Sequence, residues 1–242
     1  MMEINKINCG DCLQVMNDIP DGSVDMVLAD LPYGTTQNKW DSIIELMPLW
    51  KQYERVCKKN AAIVLTAQTP FDKVLGCSNL AMLKYEWIWE KQTGTGHLNA
   101  KKAPMKNHEN ILVFYRSMPI YNPQMVSGKP YNVKYSTHSS NYGKQKDNIR
   151  TINTGERYPL SVQRFNYDSN KKHPTQKPVA MFEYLISTYT DKGDLVLDNC
   201  IGSGTTAVAA IQTGRNFIGI EKDLAYCTIA NQRILNAEPQ LF

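Results

Sequence analysis

The chain has no apolar run approaching the roughly 20 residues that cross a bilayer as a helix, so a helical membrane anchor is not expected. Its opening, MMEINKINCGDCL, lacks the long apolar core of a secretory signal, and a cytoplasmic protein with no membrane partner is expected. Cysteine is sparse: six residues, Cys9, Cys12, Cys57, Cys77, Cys200 and Cys227, scattered with no repeating spacing. A chain of 242 residues buries enough core to need no staples, so a disulfide framework is not expected and the thiols are read as free and buried or half-buried. Cys9-Gly10-Asp11-Cys12 has the CxxC spacing, but no second pair of Cys or His ligands accompanies it. His97, His108 and His138 likewise lack ligand spacing, and no metal is assigned. Charge of one sign is not in large excess either. The net charge is +4, with 42% hydrophobic and 21% charged residues, ordinary for one globular domain plus an insertion.

What is present is unevenly placed. Residues 1–116 carry 13 basic and 13 acidic residues, 117–172 carry 9 against 3, and 173–242 carry 5 against 7. All the excess positive charge therefore sits in the middle. That pattern suits a nucleic-acid footprint, although charge alone does not separate it from a solvated lysine-rich loop.

Seven apolar runs read as strands: Ile4–Cys9, Val24–Ala29, Ala61–Thr66, Leu83–Glu90, Asn110–Tyr115, Leu195–Asp198 and Phe217–Glu221. Helical periodicity falls between them at Asp41–Cys57, Val179–Tyr189, Thr205–Gln212 and Leu224–Asn236. Alternation of this kind predicts an α/β fold: a mostly parallel, Rossmann-like sheet with helices on both faces. Trp87 and Trp89 alternate on one strand and share a face, which suits core packing. The stretch from Ser117 to Lys172 breaks the pattern with Pro119, Pro123, Pro130 and Pro159. It nevertheless holds Tyr121, Tyr131, Tyr135, Tyr142, Tyr158, Phe165 and Tyr167, more aromatics than a disordered linker carries. Aromatics among basic residues suit a surface that touches phosphates and stacks on bases.

Two segments carry chemistry. Val24–Gly34 is an apolar strand that delivers Asp30 to its carboxyl end, followed by the rigid turn Leu31-Pro32-Tyr33-Gly34. Ligands in open α/β sheets bind at such strand ends. An exocyclic base nitrogen is a poor nucleophile because its lone pair is delocalised into the ring. A carboxylate and a backbone carbonyl accepting its two N–H groups would favour the pyramidal form, and Asp30 with the Leu31 carbonyl could supply them. Tyr33 could stack on a base flipped from its duplex. Taken alone, the same residues could simply make a tight turn.

The second segment weighs against that bland reading. Leu195–Thr206 is a strand ending at Asp198, then Asn199-Cys200-Ile201-Gly202-Ser203-Gly204 and a helical run, then a strand ending at Glu221. Glycines let backbone approach a ligand closely, and an acid at the end of the following strand suits two ribose hydroxyls. The third glycine of the dinucleotide fingerprint is missing: Gly204 is followed by Thr205, Thr206 and Ala207. A nucleoside is favoured over a pyrophosphate, which argues against a nicotinamide enzyme.

Together these residues resemble the amino DNA methyltransferases. Asp30-Leu31-Pro32-Tyr33 is similar to their Asp/Asn/Ser-Pro-Pro-aromatic signature, and Asp198–Thr206 to their Asp-Pro-Phe-x-Gly-Ser-Gly-Thr-Thr loop. His173-Pro174-Thr175-Gln176-Lys177-Pro178 resembles a segment of the permuted beta class, in which the catalytic motif comes first, and Asn8–Cys12 its N-terminal Gly-Asp segment. The resemblance implies a seven-stranded methyltransferase sheet in which Leu83–Glu90 and Asn110–Tyr115 form an antiparallel edge pair. It implies three parts: a catalytic half at 1–116, a target-recognition insertion at 117–172 and a cofactor half at 173–242. Asp30, Leu31, Pro32 and Tyr33 would form the base site, with Asp30 also bordering the cofactor. S-adenosylmethionine would be held by Asp11 and Cys12, by Asp198, Cys200, Gly202, Gly204 and Thr205, and by Glu221 at its ribose. Thr175 and Lys177 would help with its carboxylate. DNA is the implied partner, with N6 of adenine favoured because Asp leads the signature and Ser is usual for cytosine N4. A homodimer and a restriction endonuclease counterpart are left open. Two departures stand out: Leu31 replaces the first Pro, and Asn199-Cys200 replaces Pro-Phe, which removes an aromatic from the cofactor pocket. Methylation of RNA or of a protein glutamine, and a catalytically weak DNA-binding module, are the competing readings.

Overall fold

A computed structural model describes residues 3–34, 42–135, 149–169 and 176–237. The chain divides into two compact units, Met1–Asn122 with Ser161–Phe242, and Pro123–Leu160. In the first unit the order along the chain begins β1 (Lys6–Cys9), α1 (Cys12–Val15), β2 (Val24–Asp30), α2 (Leu46–Val56), β3 (Cys57–Ala67), α3 (Phe71–Ser78), β4 (Leu83–Thr95) and β5 (Lys106–Phe114). The second unit supplies four short strands, β6 (Val126–Ser127), β7 (Tyr131–Tyr135), β8 (Ile149–Asn153) and β9 (Glu156–Arg157). The first unit resumes with β10 (Val162–Phe165), α4 (Val179–Tyr189), β11 (Leu195–Asp198), α5 (Thr205–Thr213), β12 (Asn216–Glu221) and α6 (Leu224–Leu235).

The first unit is built on one eight-stranded sheet in the order β1-β12-β11-β2-β3-β5-β4-β10. The first five of these strands are mutually parallel, and β5 runs antiparallel to both β3 and β4. Near-continuous apolar sequence suits strands buried on both faces, and the pleat sorts it. Val27 and Ala29 of β2 and Ala61, Ile63 and Leu65 of β3 face a core closed by α2 and α3 through Leu49, Trp50, Tyr53, Phe71 and Leu75. Met26, Leu28, Ala62 and Val64 face the opposite core, closed by Phe182, Leu185 and Tyr189 of α4 and by Ala207 and Ala210 of α5. Trp87 and Trp89 share that second core. In α2, Pro48 occupies the first turn, where its missing N–H costs nothing.

The sheet has eight strands where the sequence patterning suggested seven. The addition is β10, which pairs parallel to β4, so the β4–β5 pair does not form the sheet's edge. Val162-Gln163-Arg164-Phe165 escaped notice because a four-residue strand of alternating exposed and half-buried residues has no apolar run. It covers the β4 edge that would otherwise offer unpaired backbone.

Within the second unit β6 pairs with β9 and β7 with β8, both antiparallel. Arg157 organises it. Its guanidinium lies 4.6 Å from the centroid of the Tyr131 ring and donates to the Asn153 side chain and the Lys129 carbonyl. Among the described residues no helix is long and apolar enough to cross a membrane.

Candidate active site

The parallel strands β1, β12, β11 and β2 all end on the same side of the sheet, where their last residues or the next few line a cleft of about 820 Å³. That volume lies within the range of ordinary small-molecule sites, roughly 300–1,000 Å³. Pairing of Cys9 with Glu221 between β1 and β12, and a Gly10 N–H donated to the Glu221 carbonyl at 2.8 Å, bring the Asp11 loop beside Glu221. Asp11 caps the short α1 by accepting the Leu13 N–H at 3.0 Å. Glu221 is fixed by two backbone donors, Gly202 N–H on Oε2 and Asp223 N–H on Oε1, both at 2.8 Å.

The loop from β11 to α5 is shaped by Asp198, which is 2% exposed. Its carboxylate accepts the Thr206 hydroxyl and, at 2.9 Å, the Cys200 N–H, folding the loop back on the strand end. Burial, reinforced by the neighbouring Asp30 and Glu221 carboxylates and opposed by those two hydrogen bonds, pushes its pKa up to about 7. Gly204 (φ 88°) begins α5, and a Cβ there would lie 3.0 Å from that of Ala230 on α6. Gly202 (φ 51°) also needs the left-handed region, but a Cβ on it would meet nothing within 4 Å.

Asn199 and Cys200 are held by a chain of contacts. The Tyr53 hydroxyl donates to Asn199 Oδ1 at 2.6 Å, and Asn199 Nδ2 donates to Cys200 Sγ at 3.4 Å. The thiols of Cys200 and Cys12 hydrogen-bond to each other across the cleft wall. That contact, with burial, pushes the Cys200 thiol up, while the same contact lowers Cys12. The segment expected to carry Pro-Phe is thus replaced by a polar group of interlocking partners.

At the end of β2 the Tyr33 hydroxyl donates to Asp30 Oδ1 at 2.7 Å and lies 3.1 Å from Thr66 Oγ1 and 3.4 Å from Glu109 Oε2. The Thr66 hydroxyl donates to the same Asp30 oxygen. Lys177 Nζ reaches Asp30 Oδ2 at 2.6 Å and Glu109 Oε2 at 3.3 Å, and Lys91 Nζ reaches Glu109 Oε1 at 2.6 Å. The side chains of Lys177, Glu109 and Lys91 are only 6%, 9% and 6% exposed, so the row of charges is largely out of water. Burial opposes the charge on Lys177, but Asp30 and Glu109 outweigh it and push the ammonium's pKa up. Burial likewise raises Glu109, and Lys177 and Lys91 outweigh it, leaving this carboxyl below its ordinary range. Burial first, then Asp30 and Glu109, push the Tyr33 phenol far up. One side of the Tyr33 ring stacks on Phe71, with centroids 5.6 Å apart and planes at 28°.

Asp11, Cys12, Asp30, Leu31, Pro32, Tyr33, Lys177, Asp198, Cys200, Gly202, Thr205 and Glu221 all line the one cleft, although they come from both ends of the chain. Gly204 stands one residue behind the wall, packed on α6. Thr175 lies outside the described residues. Lys177, expected beside a cofactor carboxylate, commits its ammonium to Asp30 and Glu109 instead. The cysteine expectation also needs correction: Cys9 and Cys227 form a disulfide, while Cys12, Cys57, Cys77 and Cys200 are free. The pair is 218 residues apart in sequence and meets only because α6 packs on β1. Sequence reasoning missed Thr66, Lys91, Glu109 and Tyr53. The only signal for the charged pair was a Lys and a Glu beside otherwise apolar strand residues.

The profile of the DNA methylase family matches residues 24–232. The chain is 31% identical over 255 residues to the type II methyltransferase M1.MboII of Moraxella bovis, covering 96% of each protein. It is 31% identical over 252 residues to the DNA adenine methyltransferase YhdJ of Escherichia coli (strain K12), covering 96% of this chain and 83% of that one. Among solved structures, the M1.HpyAVI–SAM complex superposes with a TM-score of 0.66 at 24% identity, over 94% of this chain and 98% of that one. The cytosine-N4-specific PvuII DNA methyltransferase superposes with a TM-score of 0.71 at 14% identity, over 99% and 95%. At these identities the two structures speak to the fold.

Proposed function

The chain belongs to the DNA methylase family, acting on DNA with S-adenosylmethionine, and we propose that its target is the exocyclic N6 of adenine within a specific sequence. The observation that carries this reading is the position of Asp30, at the end of β2, in the same cleft as Glu221 and the Gly202–Gly204 loop. Asp at the head of the signature, and the adenine specificity named for the Escherichia coli relative, support adenine over cytosine.

The cleft suits the cofactor on its own features. Gly202 has open space where a side chain would stand, and Glu221 holds a carboxylate at the rim through backbone donors that leave each oxygen a further acceptor site. When bound, S-adenosylmethionine supplies an electrophilic methyl group on a sulfonium. Glu221 would accept its ribose hydroxyls, and Asp11 with Cys12 would border its adenine. Gly202, Gly204 and Thr205 would border its methionyl end, with Asp198 and Cys200 shaping that wall.

Asp30 and the Leu31 carbonyl would accept the two N–H groups of the target amine and so free its lone pair for in-line attack. Holding nitrogen and methyl at near-attack distance supplies much of the acceleration. Tyr33, backed by Phe71, would offer its other ring face to a flipped base. We further assign target recognition to the basic, aromatic insertion at 117–172, with 1–116 as the catalytic half and 173–242 as the cofactor half. The names of the type II relatives extend the proposal to a restriction endonuclease that cuts the same site when it is unmethylated.

The test is transfer from labelled S-adenosylmethionine to mixed-sequence DNA, followed by nucleoside digestion and mass spectrometry. N6-methyladenine is expected. N4-methylcytosine would keep the chemistry and overturn the base, and label in RNA or protein with none in DNA would overturn the substrate. Asp30→Ala should abolish transfer while cofactor binding survives.

A further inference from the structure

The row of buried charges behind Asp30 is larger than a base acceptor needs. An ionised carboxylate offers about four acceptor positions, two on each oxygen. Tyr33 and Thr66 both donate to Oδ1, and Lys177 donates to Oδ2. Three of the four are therefore filled by the protein, and the remaining one is on Oδ2, the oxygen that Lys177 grips.

Lys177 does not stand alone. It lies on the segment leading into α4, while Glu109 and Lys91 come from the neighbouring strands β5 and β4. Glu109 bridges the two ammonium groups, Lys91 at 2.6 Å and Lys177 at 3.3 Å. The groups facing Lys177 are Asp30 from β2, Tyr33 from the loop after it, Glu109 and Lys91 from β5 and β4, and Tyr167 after β10. Burying such a row costs desolvation that its own attractions repay only when geometry is good and every member has partners. Nothing in the packing of the sheet calls for it. The catalytic carboxylate at its end does.

We propose that Lys177 is a positioning residue of the base site, anchored by Glu109 and Lys91, and that it fixes the Asp30 carboxylate with one acceptor position on Oδ2 left for one N–H of the target amine. The second N–H then falls to the Leu31 carbonyl, and the pair of acceptors sets the plane in which the amine is held. Lys177 serves the base rather than the carboxylate of the cofactor. This inference rests on the assignment of Asp30 to the base site.

The test separates those readings. Glu109→Gln keeps the shape of the side chain but removes one of the two carboxylates that hold Lys177. Misplacing a catalytic group by about 1 Å can cost on the order of 100-fold, so kcat should fall about 10- to 100-fold while the dissociation constant for S-adenosylmethionine stays within about threefold. The pH profile should change as well. Lys177 is held protonated by two carboxylates, so wild-type kcat should stay level to about pH 9.5. Losing one opposite charge moves a pKa down by about 1–3 units, so the variant should show an alkaline fall in kcat at lower pH. A merely structural role would not move that limb. If Glu109→Gln does not fold, the double variant Lys91→Met, Glu109→Gln removes the ion pair together and carries the same expectations.

Unchanged kcat with an unmoved alkaline limb would overturn the inference. So would Lys177→Met with at least 10-fold weaker cofactor binding and normal kcat, which would return Lys177 to the cofactor. Asp30→Asn is the control. If it is inactive while Glu109→Gln behaves as wild type, only the positioning role fails; if Asp30→Asn still turns over, the base-site assignment fails with it.

Discussion

Adding one methyl group to each of two glycines in the loop between β11 and α5 should have different consequences, although they are two residues apart. At Gly204 an alanine would sit at φ 88°, in the left-handed region, which costs about 1–2 kcal/mol for a residue with a Cβ. Its Cβ would also lie 3.0 Å from the Ala230 Cβ and 3.1 Å from the Ala230 Cα, and relieving such overpacking costs about 1–3 kcal/mol. The sum is about 3 kcal/mol, or a fall of about 6–12 °C in Tm for a chain of this size. At Gly202 (φ 51°) the backbone cost is similar, but nothing lies within 4 Å, so only about 1 kcal/mol and a few degrees should be lost. The methyl group there would instead intrude on the space assigned to the cofactor, and S-adenosylmethionine should bind at least about 10-fold more weakly, the equivalent of 1.4 kcal/mol. Calorimetric unfolding without ligand and titration with the cofactor read the two effects separately. Gly202→Ala binding S-adenosylmethionine as the wild type does would refute the assignment of that space. Gly204→Ala with an unchanged Tm would refute the packing argument.

Glu221→Ala should raise the cofactor dissociation constant by about 100-fold, since hydrogen bonds to a charged group are worth about 1.5–3 kcal/mol each; an unchanged constant would remove Glu221 from the ribose. Asp198, raised to about 7 in the fold, favours the native state when protonated. Its contribution is full below the unfolded value near 4 and is lost as pH rises through 7, so urea unfolding should show wild-type stability falling between pH 5 and 8 relative to Asp198→Asn. An identical slope in the two proteins would contradict this. Cys12 and Cys200 face the cleft whereas Cys77 is exposed outside it. Saturating S-adenosylmethionine should therefore slow alkylation of the first two, mapped by mass spectrometry, and leave Cys77 reactive. Equal labelling of all three with and without cofactor would place the cofactor elsewhere.

Much of this molecule is written in short stretches of sequence. Val24–Tyr33 and Leu195–Glu221 each contain a strand, its turn and the group the turn displays, within about 30 residues. Hydrophobic runs and glycine positions are local signals, and Leu195–Asp198 and Val179–Tyr189 emerge with the boundaries their sequence suggests. The parallel sheet follows from their alternation, and the cleft at the strand ends follows from the sheet. Other features depend on which side chains meet across the fold. Lys177 reaches Asp30 from 147 residues away, Tyr53 reaches Asn199 from 146, and Cys9 reaches Cys227 from 218. Strand order and register set those meetings, and no window of sequence contains them. The short strand β10 is decided the same way, by an open edge on β4 rather than by its own apolar content. The sequence by itself determined the sheet and the two chemical loops, because their causes are local. Only the tertiary structure decided how Asp30 is held, because a buried charge takes its partner from whatever the packing brings within about 3 Å.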